Sequence, residues 1–417
     1  MDDLETFLQL LVLLLLARAF GAGAERLGQP SSVGELIAGV ALAAVLALFG
    51  GALPFLGDMT DSDVLGGVAQ VGIFFLVLLA GIEMKPAAIA QSTRGALAIA
   101  LGGMILPLAG GIGLGWLILP ESELKPALAM VVGVSMAITA IPATAKVLSE
   151  FGLLHTPLGE MVISAAIFDD VFALFLLAVL TAFVQTGHVP DPWVLVWLLA
   201  KVAAFFAITI VLGVHLYPRI SRRIGAMEAA TLELSAIVAL GLGYGWLAEF
   251  LGMHWIMGAF MAGLYFEESR VGARAYGDLK LIVSALTGGL LGPMFFAWIG
   301  LQVDLRAVAA IPGIVLALIL VAFLSKLVGA GLPALWIGLD RRQALSVGVG
   351  MSARGAMELV VLSIVLEAGL FERAGTTDAV TAHLFSALVI MAMVTTLLVP
   401  IALRRLVRRE APKVPPS

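Results

Sequence analysis

Residues 158–183 read LGEMVISAAIFDDVFALFLLAVLTAF, an apolar run with two adjacent carboxylates, Asp169 and Asp170, near its middle. A run of this length can cross a lipid bilayer as a single helix. Placing even one ionisable group at bilayer depth costs about 3 kcal/mol or more. A neighbouring pair is therefore expected only where it serves a function, and it indicates an ion or proton pathway through a membrane.

The composition indicates that most of the chain lies within a bilayer. Of 417 residues, 61% are hydrophobic and 13% are charged, with a mean hydropathy of +1.08, whereas soluble domains carry about 25% charged residues. Cysteine is absent, which excludes disulfides and thiolate metal sites. The acidic start, Met1–Glu5, predicts a retained first helix rather than a cleaved signal peptide, and no soluble domain is expected after Leu406.

Apolar runs of about 17 to 25 residues recur along the chain, separated by short polar or Gly/Pro turns. They predict an all-α integral membrane protein with about 13 transmembrane helices. The predicted spans are 5–21, 33–50, 64–82, 95–119, 126–149, 157–185, 193–217, 228–250, 253–267, 279–301, 307–337, 341–369 and 379–403. Residues 1–406 are thus expected to form one membrane domain, followed by a short basic cytoplasmic tail at 407–417.

The basic residues predict the orientation of these spans. With the N-terminus outside, eighteen of the 24 Lys and Arg residues fall in cytoplasmic loops or the tail, three fall in outer loops and three lie within spans. Cytoplasmic loops of membrane proteins carry the excess of Lys and Arg. We therefore expect the N-terminus outside and the C-terminus inside.

Short matches between the two halves of the chain indicate an internal repeat. Leu27–Gly28 recurs as Leu251–Gly252, 224 residues later, and further matches follow in the same order at offsets of 219 and 215. Matching spans lie seven apart, an odd number, so the second half (about 226–406) would be inverted relative to the first (about 1–217). Two inverted-topology repeats are typical of secondary transporters.

Each half also contains one interruption of a predicted span. In the fifth span, Pro142 lacks a helical donor and disfavours helix at the preceding residue, and the twelfth span contains SARG at 352–355 at the equivalent place in the repeat. Ion sites of such transporters lie where equivalent helices break, because unwound backbone exposes its polar groups. We therefore predict crossed, broken helices, although a proline kink and a surface turn are the alternative. The residues predicted to support the breaks are Pro142, Thr144, Ser352, Arg354 and Glu358.

The aspartate pair has the chemistry of a site shared by a cation and a proton. On a helix the two carboxylates would point about 100° apart, so one can face a cavity while the other faces a broken helix. Asp169, Asp170, the Thr139 hydroxyl and freed backbone carbonyls could supply the oxygen ligands that a hard monovalent cation requires. The same carboxylates bind protons, so cation and proton would compete, and competition is all that exchange requires. The alternative is that one aspartate only caps a helix or pairs with a cation.

Other charges within the spans suggest supporting roles. Lys326, deep in the eleventh span, needs a carboxylate partner unless it snorkels to an interface, and Asp169 is the candidate. Arg354 and Glu358 are four residues apart and would share a helical face if that segment is helical, and a structural role at the helix ends is favoured. Glu83 could be a carboxylate of a cytoplasmic vestibule or part of an ordinary interfacial ion pair.

Several other functions lack support in the sequence. The Gly-rich stretch 110–115 lies inside an apolar span, where helix packing explains it, so no nucleotide or cofactor site is expected. No Ser/His/Asp arrangement suggests an enzyme, no basic patch suggests nucleic acid binding, and the five histidines lack metal-ligand spacing.

Together, these motifs resemble the NapA/KefC-like branch of the monovalent cation:proton antiporters, over essentially the whole chain. The resemblance rests on LAGIE at 79–83, the Thr-containing segment 139–144, FDDV at 168–171, IGLQVD at 299–304, KLVG at 326–329 and SARG at 352–355. It implies a core domain and a dimerisation domain, interleaved in sequence, that work in a homodimer by an elevator-like movement.

The resemblance also implies roles for individual residues. Asp170 would be the essential ion-binding carboxylate, Asp169 its partner and Lys326 the lysine of a salt bridge. Two consecutive aspartates resemble the electrogenic sodium/proton exchangers, whereas the potassium-handling Kef relatives carry Gln before a single aspartate. Kef relatives also carry a C-terminal nucleotide-binding domain, and none is expected after the last span of this sequence, which ends at Ser417. Many relatives place Glu directly after the Arg-Gly pair, where this chain has Ala356. The resemblance therefore transfers no role to Glu358, which comes two residues later.

The expected function is therefore electrogenic sodium/proton antiport in the lipid bilayer of a bacterial inner membrane. Potassium/proton exchange of the Kef type is the alternative, and the choice between Na⁺, K⁺ and Li⁺ depends on cavity size and ligand number. Sodium-coupled uptake of an organic solute is an alternative of another class, and it would need a polar organic pocket and neutral amide ligands. A gated channel would need a continuous polar stripe.

Overall fold

The computed structural model of the chain describes residues 2–49, 56, 59–84, 94–139, 144, 148, 153, 156–186, 192–225, 230–374 and 378–407. All regular secondary structure within these ranges is helical. The expected all-α class is therefore confirmed for this part of the chain.

The main helices are numbered here in chain order. They are α1 (Asp2–Arg26), α2 (Ser31–Phe49), α3 (Asp63–Glu83), α4 (Arg94–Ile118), α5 (Lys125–Ala137), α6 (Pro157–Thr186), α7 (Pro192–Gly225), α8 (Ala230–Phe250), α9 (Ile256–Leu264), α10 (Ala273–Leu286), α11 (Gly292–Leu301), α12 (Pro312–Trp336), α13 (Arg341–Gly350), α14 (Ala356–Glu367) and α15 (Ala379–Val407). A π-helical segment, Thr287–Leu291, joins α10 to α11, and short helices lie at Met59–Asp61, Glu268–Val271, Arg306–Ala310 and Leu370–Arg373.

Nine helical stretches of the described residues are long and apolar enough to cross a membrane. The long apolar helices confirm the expectation of a chain that crosses the bilayer several times, while the total of 13 spans stays a prediction. The predicted spans 126–149 and 341–369 are not single helices: α5 ends at Ala137, and α13 and α14 divide the later span.

The helices pack in two sets. In one, α4 contacts α5, α6 and α12, and α12 also packs on α13 and α15. In the other, α2 packs between α1 and α11, while α9 packs between α3 and α8. The aspartates of α6 belong to the first set.

Two glycine pairs bring helices of the second set to backbone contact. A Cβ atom placed on Gly39 of α2 would lie 2.9 Å from the Gly300 Cα of α11, and one on Gly81 of α3 would lie 3.0 Å from the Gly263 Cα of α9. Small residues at such crossings allow close helix packing within a bilayer. Both crossings thus depend on the absence of a side chain.

Candidate functional site

Helix α6 carries the two aspartates into the protein interior. Asp169 is only 2% exposed, whereas Asp170 is partly exposed. Consecutive helical residues differ by about 100° in direction, so the two carboxylates face different surroundings.

Asp169 forms a buried ion pair with Lys326. The Lys326 Nζ atom of α12 lies 3.3 Å from both carboxylate oxygens of Asp169, and neither side chain is more than 2% exposed. The same ammonium donates a hydrogen bond to the Ala137 carbonyl at the end of α5. The structure thus brings together the lysine and the aspartate that the sequence analysis paired, and the Asp170 carboxylate is left outside this pair.

The first interruption begins earlier than expected, since α5 ends at Ala137 rather than beyond Thr139. A helix end leaves carbonyl groups without intrahelical partners and carries partial negative charge. The Arg354 guanidinium donates to the carbonyls of Ser135, Met136 and Ile138, the last two at 2.7 and 3.4 Å. Lys326 donates to the Ala137 carbonyl, which lies between those of Met136 and Ile138. Two cations therefore oppose the partial negative charge at the broken end of α5.

The second interruption occupies residues 351–355, between α13 and α14. The Thr139 hydroxyl donates to the Met351 carbonyl at 3.1 Å, and the Thr144 hydroxyl donates to the Gly350 carbonyl at 2.5 Å. The Ser352 hydroxyl donates to Gly348 at 2.7 Å, at the end of α13. The two interruptions are therefore in direct contact, and threonines of the first satisfy carbonyls of the second.

Arg354 and Glu358 form the second buried ion pair, with 3.6 Å between Nη1 and Oε2. Arg354 lies before the start of α14, so the two residues do not share a helical face, although their side chains meet. Both side chains are essentially inaccessible, and neither Glu358 oxygen has a hydrogen-bond partner in the part of the chain that the structure describes.

Two other predicted site residues remain. Pro142 lies outside the described residues. Glu83 is exposed at the C-terminal end of α3, where none of the described ion pairs includes it.

A cavity of about 270 Å³ lies further along α6. Leu177 and Thr181 line it from α6, and His254 and Glu367 add polar groups from two other segments. Leu177 follows Asp170 by seven residues, two helical turns, so both lie on one face of α6. Sequence reasoning missed this cavity because its lining residues are distant in the chain and form no motif.

Comparisons with known proteins agree with this architecture. The profile of a family described as sodium/hydrogen exchanger, transmembrane, matches residues 11–409. The Na(+)/H(+)-K(+) antiporter GerN of Bacillus cereus is 28% identical over 95% of this chain and 95% of its own. The Na(+)/H(+) antiporter of Enterococcus hirae is 27% identical over 95% of this chain and 97% of its own.

A solved structure shows the same fold. The sodium proton antiporter MjNhaP1 from Methanocaldococcus jannaschii at pH 8 matches with a TM-score of 0.73 and 18% identity, over 98% of each chain. Together with the apolar helices, the family match confirms a multi-pass transporter of the cation:proton antiporter type rather than an enzyme. The chain belongs to the sodium/hydrogen exchanger family.

Proposed function

We propose that this protein is a sodium/proton antiporter in which Na⁺ and H⁺ compete for Asp169 and Asp170. One observation carries the proposal: the buried Asp169–Lys326 pair lies beside a partly exposed Asp170, at the broken end of α5, where Lys326 also donates to the Ala137 carbonyl. Carboxylates bind a hard cation only when deprotonated, so proton and cation exclude each other. The Thr139 hydroxyl oxygen is a further candidate ligand.

Lys326 acts in this proposal as an internal competitor for the cation. When Na⁺ binds at the aspartates, its positive charge repels the Lys326 ammonium. The ammonium then releases a proton, and the neutral Lys326 amine separates from Asp169. A second proton leaves Asp170. Two protons then exchange for one Na⁺, so each cycle moves net charge and transport is electrogenic.

We further propose two inverted repeats, about 1–217 and 226–406, with 13 spans, the N-terminus outside and the C-terminus inside. The glycine crossings support this arrangement. By the repeat offsets, Gly39 corresponds to Gly263 and Gly81 to Gly300, so exchanging the halves converts the Gly39–Gly300 contact into the Gly81–Gly263 contact. A pseudo-twofold axis between the halves explains both contacts at once.

In the same proposal the helix set that contains α4, α5, α6, α12 and α13 is the core domain, and the set that contains α1, α2 and α11 is the dimerisation domain. The core would move elevator-like within a homodimer in a bacterial inner membrane. Arg354, Thr139 and Thr144 hold the two interruptions together during this movement. The cavity beside Leu177 is the proposed access route from the outer side.

Potassium/proton antiport is the second candidate, because the similar GerN of Bacillus cereus is named a Na(+)/H(+)-K(+) antiporter. The family match favours either exchange over sodium-coupled uptake of an organic solute. A symporter of that kind would show no proton movement driven by the cation alone.

Exchange in proteoliposomes tests the proposal. Internal pH is followed with a dye after addition of Na⁺, Li⁺ or K⁺, with and without valinomycin to clamp the potential. We expect Na⁺-dependent proton movement that responds to the clamp, and we expect its abolition by Asp170→Asn because an amide cannot exchange a proton for a cation. Asp278→Asn, at a half-exposed aspartate of α10, is the matched control. Undiminished exchange by Asp170→Asn would refute the proposal, and K⁺ exchange as fast as Na⁺ exchange would favour the second candidate.

A further inference from the structure

We propose that Glu358 is a positioning residue that balances the charge of Arg354, so that the guanidinium can hold the broken end of α5 without weakening cation binding. The inference rests on the function proposed above. It concerns a residue to which the family resemblance assigns no role, because the relatives' glutamate occupies a different place in the motif.

The first step concerns the charge of the buried cluster. Asp169, Lys326, Arg354 and Glu358 are each 0–2% exposed and form two ion pairs with no formal net charge. Removing Glu358 would leave one uncompensated positive charge in a region that solvent cannot screen. Unit charges interact strongly in such surroundings, so a cation arriving at the aspartates would be repelled.

The second step concerns what Arg354 does. Its guanidinium donates to three carbonyls at the end of α5, and its own carbonyl accepts a hydrogen bond of 2.8 Å from Thr396 of α15. Arg354 lies in the second interruption and holds the broken end of α5, which lies beside the site. A neutral side chain could not oppose the negative end of α5 in the same way.

The third step concerns the Glu358 carboxylate itself. It lies in the first turn of α14, where a carboxylate can accept backbone hydrogen bonds and so stabilise the helix. Within the described residues, however, neither oxygen accepts one, and Oε2 lies 3.6 Å from Arg354. The Glu358 carboxylate therefore compensates the charge of Arg354 and does not cap α14. Coulomb attraction between the two groups does not require hydrogen-bond geometry.

The experiment measures the apparent KM for Na⁺ and the maximal exchange rate in proteoliposomes. We expect Glu358→Gln to raise the KM about tenfold with a smaller change in maximal rate, and Glu358→Asp to restore most of the affinity because it keeps the charge. We also expect the double variant Arg354→Gln/Glu358→Gln to have a lower KM than Glu358→Gln alone, because it removes the unbalanced charge.

A purely structural role for Glu358 makes a different prediction. It would lower the yield and melting temperature of Glu358→Gln while the folded fraction kept the normal KM, and that result would overturn the inference. If Glu358→Gln does not fold, the double variant is compared with Arg354→Gln. An equal KM for Na⁺ in these two variants would also overturn the inference. Failure of the wild type to exchange any cation in the same vesicles would instead refute the proposed function.

Discussion

The two buried ion pairs are similar in length and different in construction. Asp169 and Lys326 join α6 to α12 across 157 positions of sequence at 3.3 Å, whereas Arg354 and Glu358 lie four positions apart at 3.6 Å. A small shift between helices can open the first pair, but it cannot separate two residues of one short segment. The difference indicates that the first pair is suited to open during exchange and the second to stay closed.

Breaking the long-range pair should have the largest effect. Asp169→Asn leaves the Lys326 ammonium buried without a counter-charge, which costs about 3–5 kcal/mol when one partner of a buried pair is removed. We expect lost exchange in proteoliposomes and a matching fall in the free energy of unfolding in detergent. The double variant Asp169→Asn/Lys326→Met is the control, since it should recover stability but not exchange. Normal exchange by the single variant would show that transport does not need the pair.

Weakening the contact between the interruptions should have an intermediate effect. Thr144→Val removes the 2.5 Å hydrogen bond to the Gly350 carbonyl and leaves that buried acceptor unsatisfied, at a cost of about 1–2 kcal/mol. Thr395→Val is a matched control, because the Thr395 hydroxyl donates only to carbonyls of its own helix, α15. Equal melting temperatures for both variants would show that the contact between the interruptions adds no stability.

A surface pair should show the smallest effect. The Arg274 Nε atom lies 3.9 Å from the Asp278 Oδ2 atom, and the two side chains are 75% and 53% exposed. Water and salt screen such a pair, so Asp278→Asn should change the free energy of unfolding by less than about 0.5 kcal/mol. A larger change, measured by thermal unfolding at two salt concentrations, would mean that burial does not decide the strength of these pairs.

Sequence reasoning reached the centre of the candidate site and missed its surroundings. Lys326 could be paired with Asp169 because a charge at bilayer depth demands a partner and few partners exist. The capping of α5 by Arg354 could not be predicted, because its acceptors are backbone carbonyls that every residue possesses. The exclusion of Arg354 from the helix of Glu358 could not be predicted for a related reason, since the start of α14 depends on packing at the second interruption.

The membrane class, the all-α fold and the placement of two carboxylates within an apolar span follow from the sequence, because hydropathy and the cost of burying charge are properties of local composition. The sequence also named Asp169 as the candidate partner of Lys326, but helix packing was needed to place the two side chains 3.3 Å apart and to bring two cations to one helix end. Neighbouring residues on a helix face directions about 100° apart, and which direction meets the lysine depends on how α6 and α12 pack.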